Sequence, residues 1–482
     1  MEIFLIKAAQ LIVALVILVT IHEFGHYLFA RIFGIKVNRF YLFFNPCFSI
    51  LKYKPSEGTL QLIAWNTKDG KDKALKTFRV GKAHPEAPDA KPTWRSTLYG
   101  LGWLPLGGYC DIAGMVDETK SAKDLAAEPQ SWEFRSKSAY KRLMVMVAGV
   151  LFNFILAIII YAGIAFHWGD KYIAFEDMTE GMDFSPEMQA AGFHDGDRLI
   201  AIDDKPIESR DPSVAWDLIQ EGTRVKILRG KDTMTITIPG SLLEKVAEAG
   251  NNGETPMSIR VPVQVLKLAP GEGAEKGGIQ PGDRIVKIGN DTTPSVVREF
   301  KAALEKAKGT TVDVTVLRNG KEISMPVEIS KDGTIGIQMV APQDIFNTRT
   351  QSYSLLQSIP RGWEIGVSTM GTYISSLKML FTPTGAKSLG GFGTLGSLFP
   401  EKWNWYTFWQ LTAFLSVILA FMNILPIPGL DGGHTLFLLV EMVTRRKPSE
   451  KFLEYANMVG MAFLLLLLLY ANANDVFRFL IK

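Results

Sequence analysis

Ile21-His22-Glu23-Phe24-Gly25-His26 lies inside an apolar run from Ala8 to Phe33, with Leu11-Ile12-Val13-Ala14-Leu15-Val16-Ile17-Leu18-Val19 before it and Tyr27-Leu28-Phe29-Ala30 after it. On a helix, residues four apart share a face, so His22 and His26 can present two imidazoles to one ion. Glu23 stands one step round from His22, where it can reach a water on that ion without being a ligand. At this spacing paired helical histidines bind zinc and the glutamate between them serves as base. The pattern also arises by chance in soluble helices. In an apolar helix of membrane length, however, two histidines and a carboxylate are expensive to insert, and a functional reading is the default.

Composition agrees with a membrane protein that carries a sizeable water-exposed part. Of 482 residues, 47% are hydrophobic and 21% charged. A net charge of +3 gives no reason to expect a nucleic-acid partner. The two cysteines, Cys47 and Cys110, exclude a disulfide framework and are not spaced as a metal site. Met1-Glu2-Ile3 lacks the basic start of a secretion signal and no cleavage site follows, so the first apolar run reads as a retained transmembrane helix.

A span of roughly 30 Å takes about 20 helical residues, and four segments meet that length. They are Ile3 to Phe33, Leu143 to Trp168, Phe408 to Val443 and Ala456 to Leu480, the third interrupted by Pro426, Pro428 and Gly429. Basic residues set the orientation. Arg31, Lys36 and Arg39 follow the first span, Arg135, Lys137, Lys141 and Arg142 precede the second, and Arg445, Arg446, Lys447 and Lys451 separate the third from the fourth. By the positive-inside rule these two loops face the cytoplasm, which places both termini and the long insert outside and the histidines towards the cytoplasmic end.

Residues 34–142 are too apolar for a solvated loop. Phe40-Tyr41-Leu42-Phe43-Phe44 and Leu101-Gly102-Trp103-Leu104-Pro105-Leu106-Gly107-Gly108-Tyr109 lie there, and Thr59 to Trp65 alternates as a strand does. A sheet dipping into the membrane beside the metal accounts for this, and its edge near Leu106, Gly107, Gly108 and Tyr109 could pair with an extended substrate. The alternative is a sheet lying on the membrane surface. The lysine-rich Asn66 to Lys91 reads as a solvated hairpin tip or insert.

The insert contains a repeat. Gly192-Phe193-His194-Asp195-Gly196-Asp197-Arg198-Leu199-Ile200 returns as Gly278-Ile279-Gln280-Pro281-Gly282-Asp283-Arg284-Ile285-Val286, 86 residues later, and Leu228-Arg229-Gly230 returns as Leu317-Arg318-Asn319 near the same shift. Each copy resembles a PDZ domain, and a period this long is a domain duplication rather than a solenoid. Asp197 and Asp283 are expected to bond loop amides.

Two histidines leave a catalytic zinc short of a third protein ligand. The best candidate is Asp431 in Asn423-Ile424-Leu425-Pro426-Ile427-Pro428-Gly429-Leu430-Asp431-Gly432-Gly433-His434, the only carboxylate in the interior of the third apolar segment. The competing reading is an aspartate that caps a kinked helix. Asn423 puts an amide where no bulk water can satisfy it, and substrate backbone is a suitable partner. Asn153 in the second span poses the same question, with packing favoured. His434 is expected to support the site rather than ligate.

These segments, in this order, resemble the site-2 protease family of intramembrane zinc metalloproteases, and the resemblance covers nearly the whole chain. It implies zinc held by His22, His26 and Asp431, Glu23 as catalytic base, and substrate contacts at Asn423 and along Leu106, Gly107, Gly108 and Tyr109. It also implies single-span substrates already shortened by another protease, such as anti-sigma factors and signal-peptide remnants, in a bacterial inner membrane with the PDZ pair in the periplasm. One departure is Gly149-Val150, where the family has Gly-Pro. The expected fold is therefore a multi-pass α-helical membrane protein with four transmembrane helices, a membrane-dipping β sheet and two tandem PDZ domains. The expected divisions are 1–33, 34–142, 143–168, 169–262, 263–345, 346–407 (amphipathic membrane-surface helices and a linker), 408–443 and 444–482. A membrane-tethered scaffold and a metal transporter are the rival classes. A scaffold has no use for intramembrane Glu23 and Asp431, and a transporter wants more polar residues along its helices than Asn153 and Asn423.

Overall fold

The computed structural model describes residues 2–66, 72–83, 92–104, 107–115, 128–207, 217–251, 255–293, 295–377 and 390–477. They form two compact units, one from residues 1–169 with 352–482, the other from 170–351.

In the first unit, helix α1 (Glu2–Ile32) is the apolar run just quoted. The side-chain N–H of its buried Gln10 donates to the Pro400 carbonyl at 2.9 Å. The helix ends at Gly34, whose φ of +64° is a left-handed conformation open to glycine without strain. Gly34 N–H donates to Arg31 O and Ile35 N–H to Ala30 O, the paired bonds that close a helix and turn the chain away. The turn leads into a six-stranded sheet of β1 (Val37–Leu42), β2 (Phe44–Lys54), β3 (Thr59–Asn66), β4 (Asp72–Arg79), β5 (Leu98–Leu104) and β6 (Tyr109–Ile112). Its order is β4-β3-β2-β5-β1-β6, so β6 is an edge strand. The sequence expectation of a sheet here is met. The expected solvated insert is part strand, since β4 pairs with β3 and its described side chains are exposed. Pro105 and Leu106 lie outside the described residues, as do 67–71 and 84–91.

Helix α2 (Ala139–Trp168) runs unbroken through Gly149-Val150. Helix α3 (Leu355–Leu377) is amphipathic and packs on α2, with Trp363 against Phe154 and Gly362 against Ala162. A short helix α4 (Phe392–Ser397) follows. The third apolar segment is two helices, not one interrupted span. Helix α5 (Trp405–Ile424) is long enough to cross a membrane, and α6 (Asp431–Thr444) begins after a Pro-Ile-Pro-Gly turn. Two prolines without N–H groups, followed by Gly429 at φ +90°, explain the break. Helix α7 (Glu450–Val476) completes the four helices among the described residues that are long and apolar enough to span a bilayer. Its Asp475 accepts from the Gly391 and Thr394 amides at 3.0 and 2.9 Å, clasping α4. Leu465, Leu466 and Leu469 point outward, as suits acyl-chain surroundings.

The second unit is β-rich. One sheet runs in the order Lys205–Pro206, Arg198–Ile202, Arg224–Arg229, Asp232–Thr237, and closes over Phe184, Phe193 and Ile227. The other runs Lys321–Glu328, Thr311–Arg318, Arg284–Ile288, Val263–Leu268, Ile337–Met339, over Val263, Val314 and Val316. The motif aspartates do the same thing in both. Asp197 accepts from the His194 amide and from Nε and Nη2 of Arg229, and Asp283 accepts from the Gln280 amide and from Nε and Nη2 of Arg318, all between 2.6 and 2.8 Å. Burial works to raise the Asp283 carboxyl, but Arg318 and the Gln280 amide outweigh it and hold the group below the usual carboxylate range.

Candidate active site

Packing in the first unit brings the ends of the chain together. Gly25 on α1 lies against the Ala148 carbonyl of α2, so the two helices approach closely at the level of the histidines. Arg142 of α2 pairs with Glu441 of α6, both largely buried, which ties α6 to the same helix. At the start of α6, Gly432 lies against the backbone of Ile424 and Leu425, and Gly433 against Ile427 and Pro428. Side chains at these two positions would push the turn off the helix, so the glycines let the turn fold back and deliver Asp431.

There His22 Nε2, His26 Nε2 and Asp431 Oδ2 form a near-equilateral triangle. The nitrogens are 3.2 Å apart and each is 3.1 Å from the carboxylate oxygen. A tetrahedral zinc with bonds of about 2.0–2.1 Å separates its ligands by about 3.3 Å, so the three atoms fit one ion. Asp431 Oδ2 is buried and makes no hydrogen bond among the described residues, leaving its lone pairs for that centre. The capping alternative fails, because Leu430 is the cap and Asp431 is the first residue of the helix proper. In that place its charge also faces the positive end of the α6 dipole. One other cluster of possible ligands occurs among the described residues, Asp183 with Asp195 and Glu299. Its three carboxylates are already paired with Arg260 and Arg298.

A cavity of about 270 Å³ opens on the triangle, and Glu23, Asn423, Gly108, Tyr109, His434 and Asn457 are among the residues lining it. The sequence-expected base and amide therefore share the site with the three candidate ligands. Gly108 and Tyr109 reach it as the approach to edge strand β6. The Tyr109 ring stacks on Tyr41 at 5.1 Å and its hydroxyl donates to Asn45 at 3.1 Å. Gly107 packs against the Phe44 ring and is not among the lining residues, and Leu106 is outside the described residues. His434 stays out of the triangle, its Nε2 lying 3.3 Å from the Asn457 amide.

Residues to which the sequence assigned no part in the site form the wall behind the histidines. His26 Nδ1 donates to the Val145 carbonyl at 2.9 Å, which fixes its proton on that nitrogen and frees Nε2. Gly149, one turn further along α2, touches both imidazoles, and a Cβ there would strike His26 Nε2 and His22 Cε1. Gly149→Val is accordingly expected to strip zinc and reduce cleavage at least about 100-fold, the scale of one lost catalytic group. Gly163→Ala on the same helix meets nothing within 4 Å and is expected to leave both unchanged. Zinc content and reporter cleavage, measured side by side, check the pair.

The profile of peptidase family M50 matches residues 10–66 and 86–467 of the chain. The regulator of sigma E protease of Haemophilus influenzae is 26% identical over 508 residues, covering 98% of this chain and 99% of that protein. The regulator of sigma-E protease RseP of Escherichia coli is 26% identical over 514 residues, with the same coverage. A Vibrio cholerae protein whose name places it among the zinc metalloproteases is 27% identical over 498 residues, 97% of each chain.

Proposed function

We propose, since this chain belongs to peptidase family M50 and is a zinc metalloprotease, that it cuts peptide bonds inside the membrane-spanning segments of single-span proteins already shortened outside by another protease. The observation that carries the reading is the convergence of His22 and His26, on a helix of membrane-spanning length, with Asp431 on one point beside Glu23.

His22, His26 and Asp431 would hold the zinc, whose part is to polarise the scissile carbonyl and acidify a water to a pKa of about 7. Glu23 takes the proton from the attacking water and passes it to the departing amine. A substrate helix hides its amides in its own hydrogen bonds and must unwind before attack. The outer edge of β6 offers N–H and C=O groups to an unwound segment, with Gly108 and Tyr109 at its start, and substrate contact is assigned to Leu106 and Gly107 as well. Asn423, at the end of α5 and lining the same cavity, holds the substrate backbone by its amide.

The protein acts in a bacterial inner membrane, with its active site towards the cytoplasmic side. The two β modules of residues 170–351 work as periplasmic PDZ domains that filter substrates by bulk or hold newly made C-termini. Two of the relatives are named for regulation of sigma-E, and anti-sigma factors are the first substrates to try.

The test is cleavage of a single-span reporter by the full chain in lipid vesicles. Cleavage is expected within the apolar segment, to stop when a chelator removes the zinc and to return when zinc is added. Cutting that persists in zinc-free protein, or that falls only outside the apolar segment, would sink the proposal.

A further inference from the structure

The face of α2 that meets α1 carries three groups at intervals of four residues, Val145, Gly149 and Asn153, and each touches the histidine pair. Val145 offers a carbonyl, which can only accept, so the proton of His26 must sit on Nδ1. His22 has the same requirement. Its Nε2 faces Asp431 and His26 at 3.1 and 3.2 Å, so for that nitrogen to ligate it must carry a lone pair, and the ring proton belongs on Nδ1. The group facing that Nδ1, at 3.4 Å, is the side-chain amide of Asn153, which is wholly buried.

The amide nitrogen is the nearer atom, and two N–H groups would then oppose each other. Meanwhile Asn153 Oδ1 is buried with no hydrogen-bond partner among the described residues. Rotating the amide by half a turn exchanges its two ends without changing its shape, and answers both mismatches at once. The backbone at this point is held firmly, because Ser416 of α5 donates its hydroxyl to the Asn153 carbonyl at 2.7 Å.

We propose that Asn153 is a positioning residue of the metal centre. Its Oδ1 accepts the Nδ1–H of His22 and holds that imidazole in the tautomer and orientation that turn Nε2 to the ion. Helix α2 thus supplies one carbonyl to each histidine, from the backbone at Val145 and from a side chain at Asn153, with Gly149 making room between. The proposal rests on His22, His26 and Asp431 being the metal ligands.

Three variants of the full-length protein test it, with zinc affinity read by competition against a coloured chelator and thermal unfolding measured without metal. Asn153→Leu keeps the volume and removes the acceptor. It is expected to lose about 10–100-fold in zinc affinity, the usual effect of losing a partner behind a ligand, while metal-free protein unfolds at the wild-type temperature or above. Asn153→Asp keeps an acceptor and is expected to bind zinc within a few-fold of wild type. His22→Ala is expected to lose zinc altogether. If His22→Ala binds zinc normally, the ligand assignment falls and this proposal with it. If His22→Ala loses zinc but Asn153→Leu binds as wild type does, or if Asn153→Asp loses as much as Asn153→Leu, the positioning role alone is overturned.

Discussion

Glu23→Gln is expected to abolish cleavage of a single-span reporter while the protein keeps its zinc and its fold. Glutamine has the size of glutamate and satisfies hydrogen bonds, but it cannot accept a proton from water at neutral pH. The triangle of His22, His26 and Asp431 does not involve Glu23, so the metal should stay. Removing a general base typically lowers the rate by about 10²–10⁴-fold, which corresponds to about 3–5 kcal/mol of transition-state stabilisation. The measurement pairs turnover with zinc content on the same preparation. Turnover within tenfold of wild type at full zinc would take the base assignment away from Glu23, and loss of zinc along with turnover would make it a ligand.

Asp431→Asn is expected to lose both metal and activity, and to lose metal by more than any change behind the ligands. The carboxylate supplies the only negative charge in the triangle, and the two imidazoles are neutral when they ligate. An amide oxygen in its place is a poor zinc ligand, and with two good ligands instead of three the affinity should fall beyond the about 10–100-fold seen for second-layer partners. The fold should survive, because α6 is held by the Arg142–Glu441 pair and by the packing of Gly432 and Gly433, none of which uses the Asp431 side chain. Equilibrium dialysis against buffered zinc decides the matter, and normal stoichiometry at wild-type affinity would mean that some other group completes the site.

The rival classes part from the chain at different points. A scaffold or a transporter could share its membrane helices but not this set of polar residues, and membership of peptidase family M50 removes both. The same reasoning explains what was legible about the site. His22, Glu23 and His26 lie within one helical turn, so their spacing alone reports that they share a surface. Asp431 was legible for a different reason, since a carboxylate in an apolar stretch bounded by prolines and glycines has few structural uses. Asn423 was legible on the same grounds, as an amide at membrane depth, and the structure puts both in one cavity.

The groups behind the site were not legible. Gly149 and Asn153 sit in an apolar helix where glycine and asparagine ordinarily serve packing, and nothing local to α2 says that α1 crosses it there. The Val145 carbonyl carries no side-chain signal of any kind. The third apolar segment also misled, because hydropathy averages across a turn that the prolines and Gly429 break into α5 and α6.

What the sequence by itself determined is therefore everything that depends on near neighbours or on bulk character. This covers the helices long enough to span, the pair of histidines on one face, the glutamate beside them, and the repeated Gly-Asp turns. Hydrogen-bond periodicity and transfer free energy act over a few residues, and their traces remain in the order of the letters. What only the tertiary structure decided is the distance between residues that are remote in sequence: the closing of the triangle by Asp431, the contact of Gly149 with both rings, and the amide of Asn153 behind His22. Those distances are set by how α1, α2 and α6 pack, and packing is a property of surfaces meeting, which no single helix records.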